Sequence, residues 1–327
     1  MSRQPGRFQL PPVDKIFLCV LAIAYVAYLA TVGRSLYASW MPGSSPTIIE
    51  HQVNASPTVA IQYWTAANMS SAIDEDTLIG TAAVNPTQES SDTTAGKPAQ
   101  QQGQPPTNGE ASYPLSTVGK VFFTMSTGQN AVCSGTAVVS ANKNTVDTAG
   151  HCLYWRGGWS NNVIFCPLYD HGATPYGCWA ARELEVPGDW LDANNDFHHD
   201  MGVAIVADNS QGKLTDVVGG IGWAYNQPVD QPFYAYGYPA AYPFDGQSRQ
   251  SCEDRSGRLW QHGGGSVVSI PCNMTGGSSG GPWFIQNGGN WYLNGHNDFI
   301  SSLQPGHMFS PVYDDTWYAL YDKAQHS

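Results

Sequence analysis

The sequence predicts an all-β protein closed by one short C-terminal helix, and three observations carry that prediction. Short runs rich in β-branched and aromatic residues recur along the chain: KVFFTM, GTAVVS, NVIFC, MGVAIVA, FYAYGY, GSVVSI, PWFIQ and WYLNG. Each is bounded by Gly, Asn, Asp or Pro, the residues that supply turns. The 327 residues include 35 glycines and 22 prolines, a turn-rich composition long enough for one large β domain with appendages. Helical spacing is scarce before Asp314 to Gln325, where Trp317, Leu320 and Tyr321 fall at i, i+3 and i+4 behind an acidic start.

At the N-terminus, Arg3, Arg7 and Lys15 precede an uncharged apolar run from Ile16 to Gly33. A cleavable export signal has an apolar core of about 7–15 residues and a spanning helix about 20, and this run lies between them. Residues 1–37 therefore read as a signal peptide or a retained membrane anchor through 16–33, with the remainder exported. Residues 38–112 read as a pro-segment and linker. The stretch from Pro86 to Ser112 is polar, proline-rich and unable to bury a core, whereas Ile61 to Ile73 is more ordered in character. Asn54 and Asn68 lie in N-x-S sequons, which matter if the host glycosylates exported proteins.

The formal charge of −12 with only 14 basic residues excludes a nucleic-acid groove and an anionic-membrane patch. Charged residues make up 12%, so the fold must rest on apolar burial, hydrogen bonds and disulfides more than on ion pairs. Six of the seven cysteines fall beyond residue 130 as close pairs, while Cys19 sits in the apolar N-terminal run. That usage points to an oxidising destination. A metal site is the competing reading of these cysteines, but no Cys-x-x-Cys spacing occurs and adjacent His198, His199 and Asp200 lack the separation to chelate one ion. No metal and no cofactor are expected.

The chemistry concentrates in three motifs. Met274 to Pro282 reads MTGGSSGGP and frames Ser279 with glycines. Such a loop can aim backbone amides at one spot, and the N–H groups of Gly277 and Ser279 are the candidates for an oxyanion hole. A serine hydroxyl needs an imidazole to take its proton, and the imidazole needs an acid to fix its tautomer. His151, in TAGHC, and Asp200, opening DMGVAIV, are the candidates for base and acid. Motif position separates them from rivals: Ser278, Asp196, His198 and His199 lack the GGP run, the following apolar strand or the Ala-Gly-His-Cys turn.

With these motifs in the order His, Asp, Ser, the chain resembles the chymotrypsin-fold serine peptidases, in particular the secreted trypsin-like and glutamyl-endopeptidase-like (V8-like) enzymes of bacteria. The resemblance spans roughly Ser112 to Tyr321. It implies two packed antiparallel six-stranded β-barrels over 113–327, divided near 212, with the triad of His151, Asp200 and Ser279 in the cleft. It also implies a Cys133–Cys152 disulfide, after which Cys166 with Cys178 and Cys252 with Cys272 are the simplest remaining choices among 15 pairings. Substrates would be proteins or peptides, and the protein a monomer. Ser278 stands where trypsin-like zymogens carry the aspartate of their activation switch. Asn273 stands where an acid would select Lys or Arg, so tryptic cleavage is not expected. His296 lies at an offset similar to that of the histidine that contacts acidic side chains in glutamyl endopeptidases, which makes Asn273 and His296 the candidate substrate-binding residues.

Two other function classes compete. GSSGG also satisfies the G-x-S-x-G elbow of α/β-hydrolase esterases, but Pro282 disfavours the helix that must follow. The acid and histidine of that fold would also have to come from Asp298 or Asp314 with His307 or His326, in a tail too short for the remaining sheet. The other alternative is a catalytically silent homologue that binds a partner.

Overall fold

The computed structural model describes residues 45–74, 99–105, 112–192, 196–262 and 265–327. The apolar run 16–33, Cys19 and most of the proline-rich stretch lie outside the described residues. Residues 46–327 form one compact unit. Among the described residues, no helix is long and apolar enough to cross a membrane.

The first half is a closed antiparallel barrel of six strands. Its order is Trp179–Pro187, Gly202–Val206, Thr145–Thr148, Asn130–Val138, Val118–Thr124 and Asn161–Pro167, and pairing of Trp179 with Phe165 closes the ring. Strand periodicity explains why these segments read as continuous apolar runs. In Val118–Thr124, Val121 and Phe123 enter one core while Val118 and Phe122 enter another, so both faces are buried.

The second half consists of two sheets around one core. A six-stranded sheet runs Gln250–Asp254, Phe233–Gly237, Pro282–Asn287, Asn290–His296, Gly222–Tyr225 and Ala99–Gln101. A four-stranded sheet runs Arg258–His262, Gly265–Pro271, Gln304–Pro311 and Phe299–Ser301. Phe233, Trp283 and Ile285 from the first meet Leu259, Ile270 and Met308 from the second in one apolar cluster. The ladders do not join because the chain leaves the six-stranded sheet at His296, turns through Asn297 and Asp298, and enters the other sheet at Phe299. That crossing point lies at the candidate site.

The C-terminal helix spans Asp315–Ala324 with Asp314 as its N-cap, and it buries Trp317, Leu320, Tyr321 and Ala324. Three disulfides are closed: Cys133–Cys152, Cys166–Cys178 and Cys252–Cys272.

Residues 46–74 fold against the first barrel. Ile48–Gln52 pairs antiparallel with Glu183–Pro187, adding a strand to the sheet. The helix Pro57–Tyr63 follows its N-cap Ser56, with Pro57 in the first turn where its missing N–H costs nothing. Beyond it the buried Trp64 donates its indole N–H to the Asn162 carbonyl at 2.6 Å. Ile73–Asp74 then pairs with Ala131 and Val132.

Candidate active site

His151 and Asp200 meet because their strands pair. Thr145–Thr148 ends two residues before the short helical turn Gly150–Leu153 that carries His151, and Gly202–Val206 starts two residues after Asp200. Gly202 lies opposite Thr148 in the ladder, which brings both ends to the same edge of the barrel. The close approach requires Gly150, where an added Cβ would lie 2.9 Å from both Asp200 Oδ1 and the Met201 carbonyl. His151 donates its backbone N–H to Asp200 Oδ1 at 2.7 Å, and its ring Nδ1 lies 2.6 Å from Oδ2. Burial by itself would raise the Asp200 pKa. The His151 charge, the His151 ring, the Asp298 side chain and the His151 backbone N–H outweigh it and hold this carboxylate below its usual range.

Ser279 comes from the second half, on the loop between Gly265–Pro271 and Pro282–Asn287. The loop is locked mainly by main-chain bonds. The Ser279 carbonyl accepts from Ser134 N–H at 2.7 Å, and the Gly277 carbonyl from the Ser134 hydroxyl at 3.0 Å. Gly280 N–H donates to the Asn297 carbonyl at 2.7 Å. Gly280 has φ of 76°, and a Cβ there would lie 2.1 Å from Thr148 Oγ1, so only glycine fits. Ser278 points elsewhere, donating its hydroxyl to the Thr275 carbonyl at 2.8 Å. The Ser279 carbonyl lies 3.9 Å from Cys152 Sγ, next to His151, and the Ser279 hydroxyl donates to the Asp298 carbonyl at 3.4 Å.

The structure does not bring His296 to a surface where a substrate could meet it. Its ring is fully buried, with Nε2 donating to the Asp200 carbonyl at 2.9 Å and Nδ1 2.8 Å from the Tyr313 hydroxyl. Tyr313 in turn donates to Asp147 Oδ2 at 2.7 Å, and Trp317 donates to Oδ1 at 3.0 Å. Burial, and then the Asp147 carboxylate, push the Tyr313 phenol far above its usual range. His296 thus ties the C-terminal helix to the backbone beneath Asp200. The Asp200 carbonyl, the Tyr313 hydroxyl and Asp147, 3.5 Å away, hold the imidazole inward, and an offset from Ser279 alone does not register such partners. Asn273 is exposed beside the glycine loop.

Sequence reasoning missed Ser134 and offered Asp298 only as an acid of the α/β-hydrolase alternative. Asp298 is buried, with Oδ1 3.7 Å from His151 Nδ1 and a carboxyl oxygen within 4.8 Å of the Asp200 carboxylate. Ser134 holds the nucleophile loop from the other half.

Among the described residues, three sets place ligand atoms within 4.8 Å of one another and could hold a cation: His151 with Asp200 and Asp298, Asp196 with His198 and His199, and Glu50 with Glu183 and Glu185. In the second set His198 Nδ1 and Asp196 Oδ1 are 2.6 Å apart. Cys133 and Cys152, also near His151, are tied up in their disulfide.

No family model matches the sequence. The protease Anisep from Arthrobacter nicotinovorans is 39% identical, with a TM-score of 0.59, and its whole length is covered by 69% of this chain. The thermostable serine protease AL20 from an extremophilic microorganism is 40% identical, with a TM-score of 0.58, and 98% of it is covered by 65% of this chain. A glutamyl endopeptidase of Bacillus licheniformis is 25% identical over 185 residues, 54% of this chain and 50% of that protein. The chain spans half or less of the length of the curated relatives it matches. Full coverage of solved relatives at this identity, on an architecture with one closed six-stranded barrel and a second β half, decides the family: the chain belongs to the serine proteases of chymotrypsin-like fold.

Proposed function

We propose that this chain is an exported serine endopeptidase that cleaves proteins or peptides through an acyl-enzyme, acting as a monomer. The observation that carries the reading is the buried contact of 2.6 Å between His151 Nδ1 and Asp200 Oδ2, beside the glycine-framed Ser279. With the ring proton held on Nδ1 by Asp200, Nε2 is the nitrogen left to act as base. Ser279 attacks the substrate carbonyl as His151 takes its proton, and the N–H groups of Gly277 and Ser279 receive the developing oxyanion. The tetrahedral intermediate collapses to an ester on Ser279 while His151 passes the proton to the leaving amine. Water then repeats the sequence and releases the acid.

Export is supported by three disulfides and by the basic residues ahead of the 16–33 run. In this reading residues 1–37 are signal or anchor, 38–112 are pro-segment and linker, and 113–327 are the peptidase domain, divided near 212. The solved relatives leave about a third of this chain beyond their own length, which fits a removable N-terminal part.

Labelling the folded, oxidised full chain with a fluorophosphonate tests the reading. One adduct per chain, located on the Ser279 peptide by mass spectrometry, is expected. Absence of any adduct in folded protein would instead favour the silent homologue.

A further inference from the structure

Asp298 has no part in the triad, yet it lies against all three of its members. Its backbone carbonyl accepts from the Ser279 hydroxyl at 3.4 Å, and its carboxyl lies 3.7 Å from His151 Nδ1 and within 4.8 Å of the Asp200 carboxylate. Its own N–H is anchored on the Phe309 carbonyl at 2.8 Å, which fixes the segment. All three ionisable side chains are at most 1% exposed. With His151 neutral, two ionised carboxylates this close would place two negative charges side by side in a buried site. Like charges that close do not both ionise in such a place. A carboxylate cannot donate, but a proton on one of two neighbouring carboxyl groups turns their repulsion into a hydrogen bond. Asp200 already receives two donors from His151, at 2.7 and 2.6 Å, and is the better anion.

We propose that Asp298 is a positioning residue that keeps its proton at neutral pH and donates it as a hydrogen bond to Asp200. Asp200 then has three donors and one orientation. The resting site carries a single negative charge, and the imidazolium formed during attack neutralises it. The other ionisable groups behind this cluster are His296, Tyr313 and Asp147. They reach it through the Asp200 carbonyl, which His296 holds from behind while Tyr313 links His296 to Asp147.

The proposal rests on the triad reading, and its test separates the two. Asp298→Asn keeps a donor and has no charge to lose, so kcat stays within about threefold of the parent. Asp298→Ala lowers kcat by about 10- to 100-fold with KM little changed, as expected when a group is misplaced and not lost. The acid limb of kcat/KM stays where it was in Asp298→Asn. If Asp298 were ionised, losing its charge would destabilise the imidazolium and move that limb to lower pH, which would overturn the proposal. Infrared difference spectra of the full chain against Asp298→Asn should show a protonated-carboxyl stretch disappearing, and this readout does not depend on activity. No such band, or activity lost to a chelator and restored by zinc, would also overturn it. Failure of the parent to label with fluorophosphonate would sink the triad reading and leave the infrared result standing.

Discussion

In the first half of the molecule, base and acid sit at the ends of two strands that pair with each other, Thr145–Thr148 and Gly202–Val206, inside a barrel whose ladder closes. In the second half, Ser279 sits on a glycine loop between two strands of different sheets, and the bond that fixes its carbonyl comes from Ser134 of the first barrel. The geometry of His151 and Asp200 is therefore set within one closed barrel. Placement of the nucleophile is set by the contact between the halves. Errors in the two halves should have different consequences, and substitutions can separate them.

The largest effect falls on the nucleophile loop. Ser279→Ala should lower kcat by about 10⁶-fold while the folded structure persists, because only the reacting hydroxyl is lost. Ser278→Ala removes a hydroxyl bonded inside its own loop and should keep substantial turnover. Steady-state kinetics with circular dichroism as a folding control decide between the two serines. Loss of activity in Ser278→Ala alone would reassign the nucleophile.

The disulfides allow a matched comparison of the halves. Cys133–Cys152 and Cys252–Cys272 have sequence separations of 19 and 20, so chain entropy predicts a similar loss of about 3 kcal/mol when either pair becomes alanine. Their effects on activity should differ. Cys152 adjoins His151 and lies 3.9 Å from the Ser279 carbonyl, whereas Cys252–Cys272 ties the two sheets of the second half together. Urea unfolding should give like shifts for both double variants, with a fall in kcat for the first pair beyond its loss of folded protein. Equal kcat in the two would mean that the bond at His151 serves stability alone.

The catalytic motifs were legible because each is short and local: TAGHC, DMGVAIV and the glycine loop report on neighbouring backbone. Strands buried on both faces were legible as apolar runs. What escaped was long-range and polar. Thr145–Thr148 reads TVDT, and in Trp179–Pro187 the alternation of Leu184 and Val186 with Glu183 and Glu185 is broken at Arg182, where the register shifts. Asp147 is buried because Tyr313 and Trp317 satisfy it from 166 and 170 residues away. The strand Ile48–Gln52 forms because the edge of Trp179–Pro187 is open to it, and a local window cannot register that. His296 shows the same limit. Its offset from Ser279 was readable, but the face it presents depends on where the chain crosses between sheets.

That buried network is the next place to probe the contact between the halves. Tyr313→Phe removes the hydroxyl that both Asp147 Oδ2 and His296 Nδ1 contact, leaving these buried atoms only each other at 3.5 Å, and should cost about 1–3 kcal/mol. Chemical denaturation measures it directly. If His296 matters only as a strut for Asp200, KM should be unchanged, and a rise in KM without loss of stability would return it to the substrate pocket.

The smallest effect concerns the seam where residues 46–74 meet the first barrel. Glu50 lies opposite Glu185 in the ladder and pairs with Lys323 of the C-terminal helix, while the buried Glu185 accepts from the Ser327 hydroxyl at 3.0 Å. Burial pushes Glu185 up to about 7, against the opposing pull of Ser327 and Lys323. The unfolded chain gives up this proton in the ordinary carboxylate range, whereas the folded protein holds it until about pH 7. Between those values the folded state binds more protons, so the stabilising contribution is full at the acidic end and is lost as pH rises. The urea midpoint should therefore fall between about pH 5 and about pH 8, and Glu185→Gln should flatten that slope. The difference belongs to this seam and should persist in Ser279→Ala, where the second half has lost its nucleophile. A slope that Glu185→Gln leaves untouched would move the titrating group elsewhere.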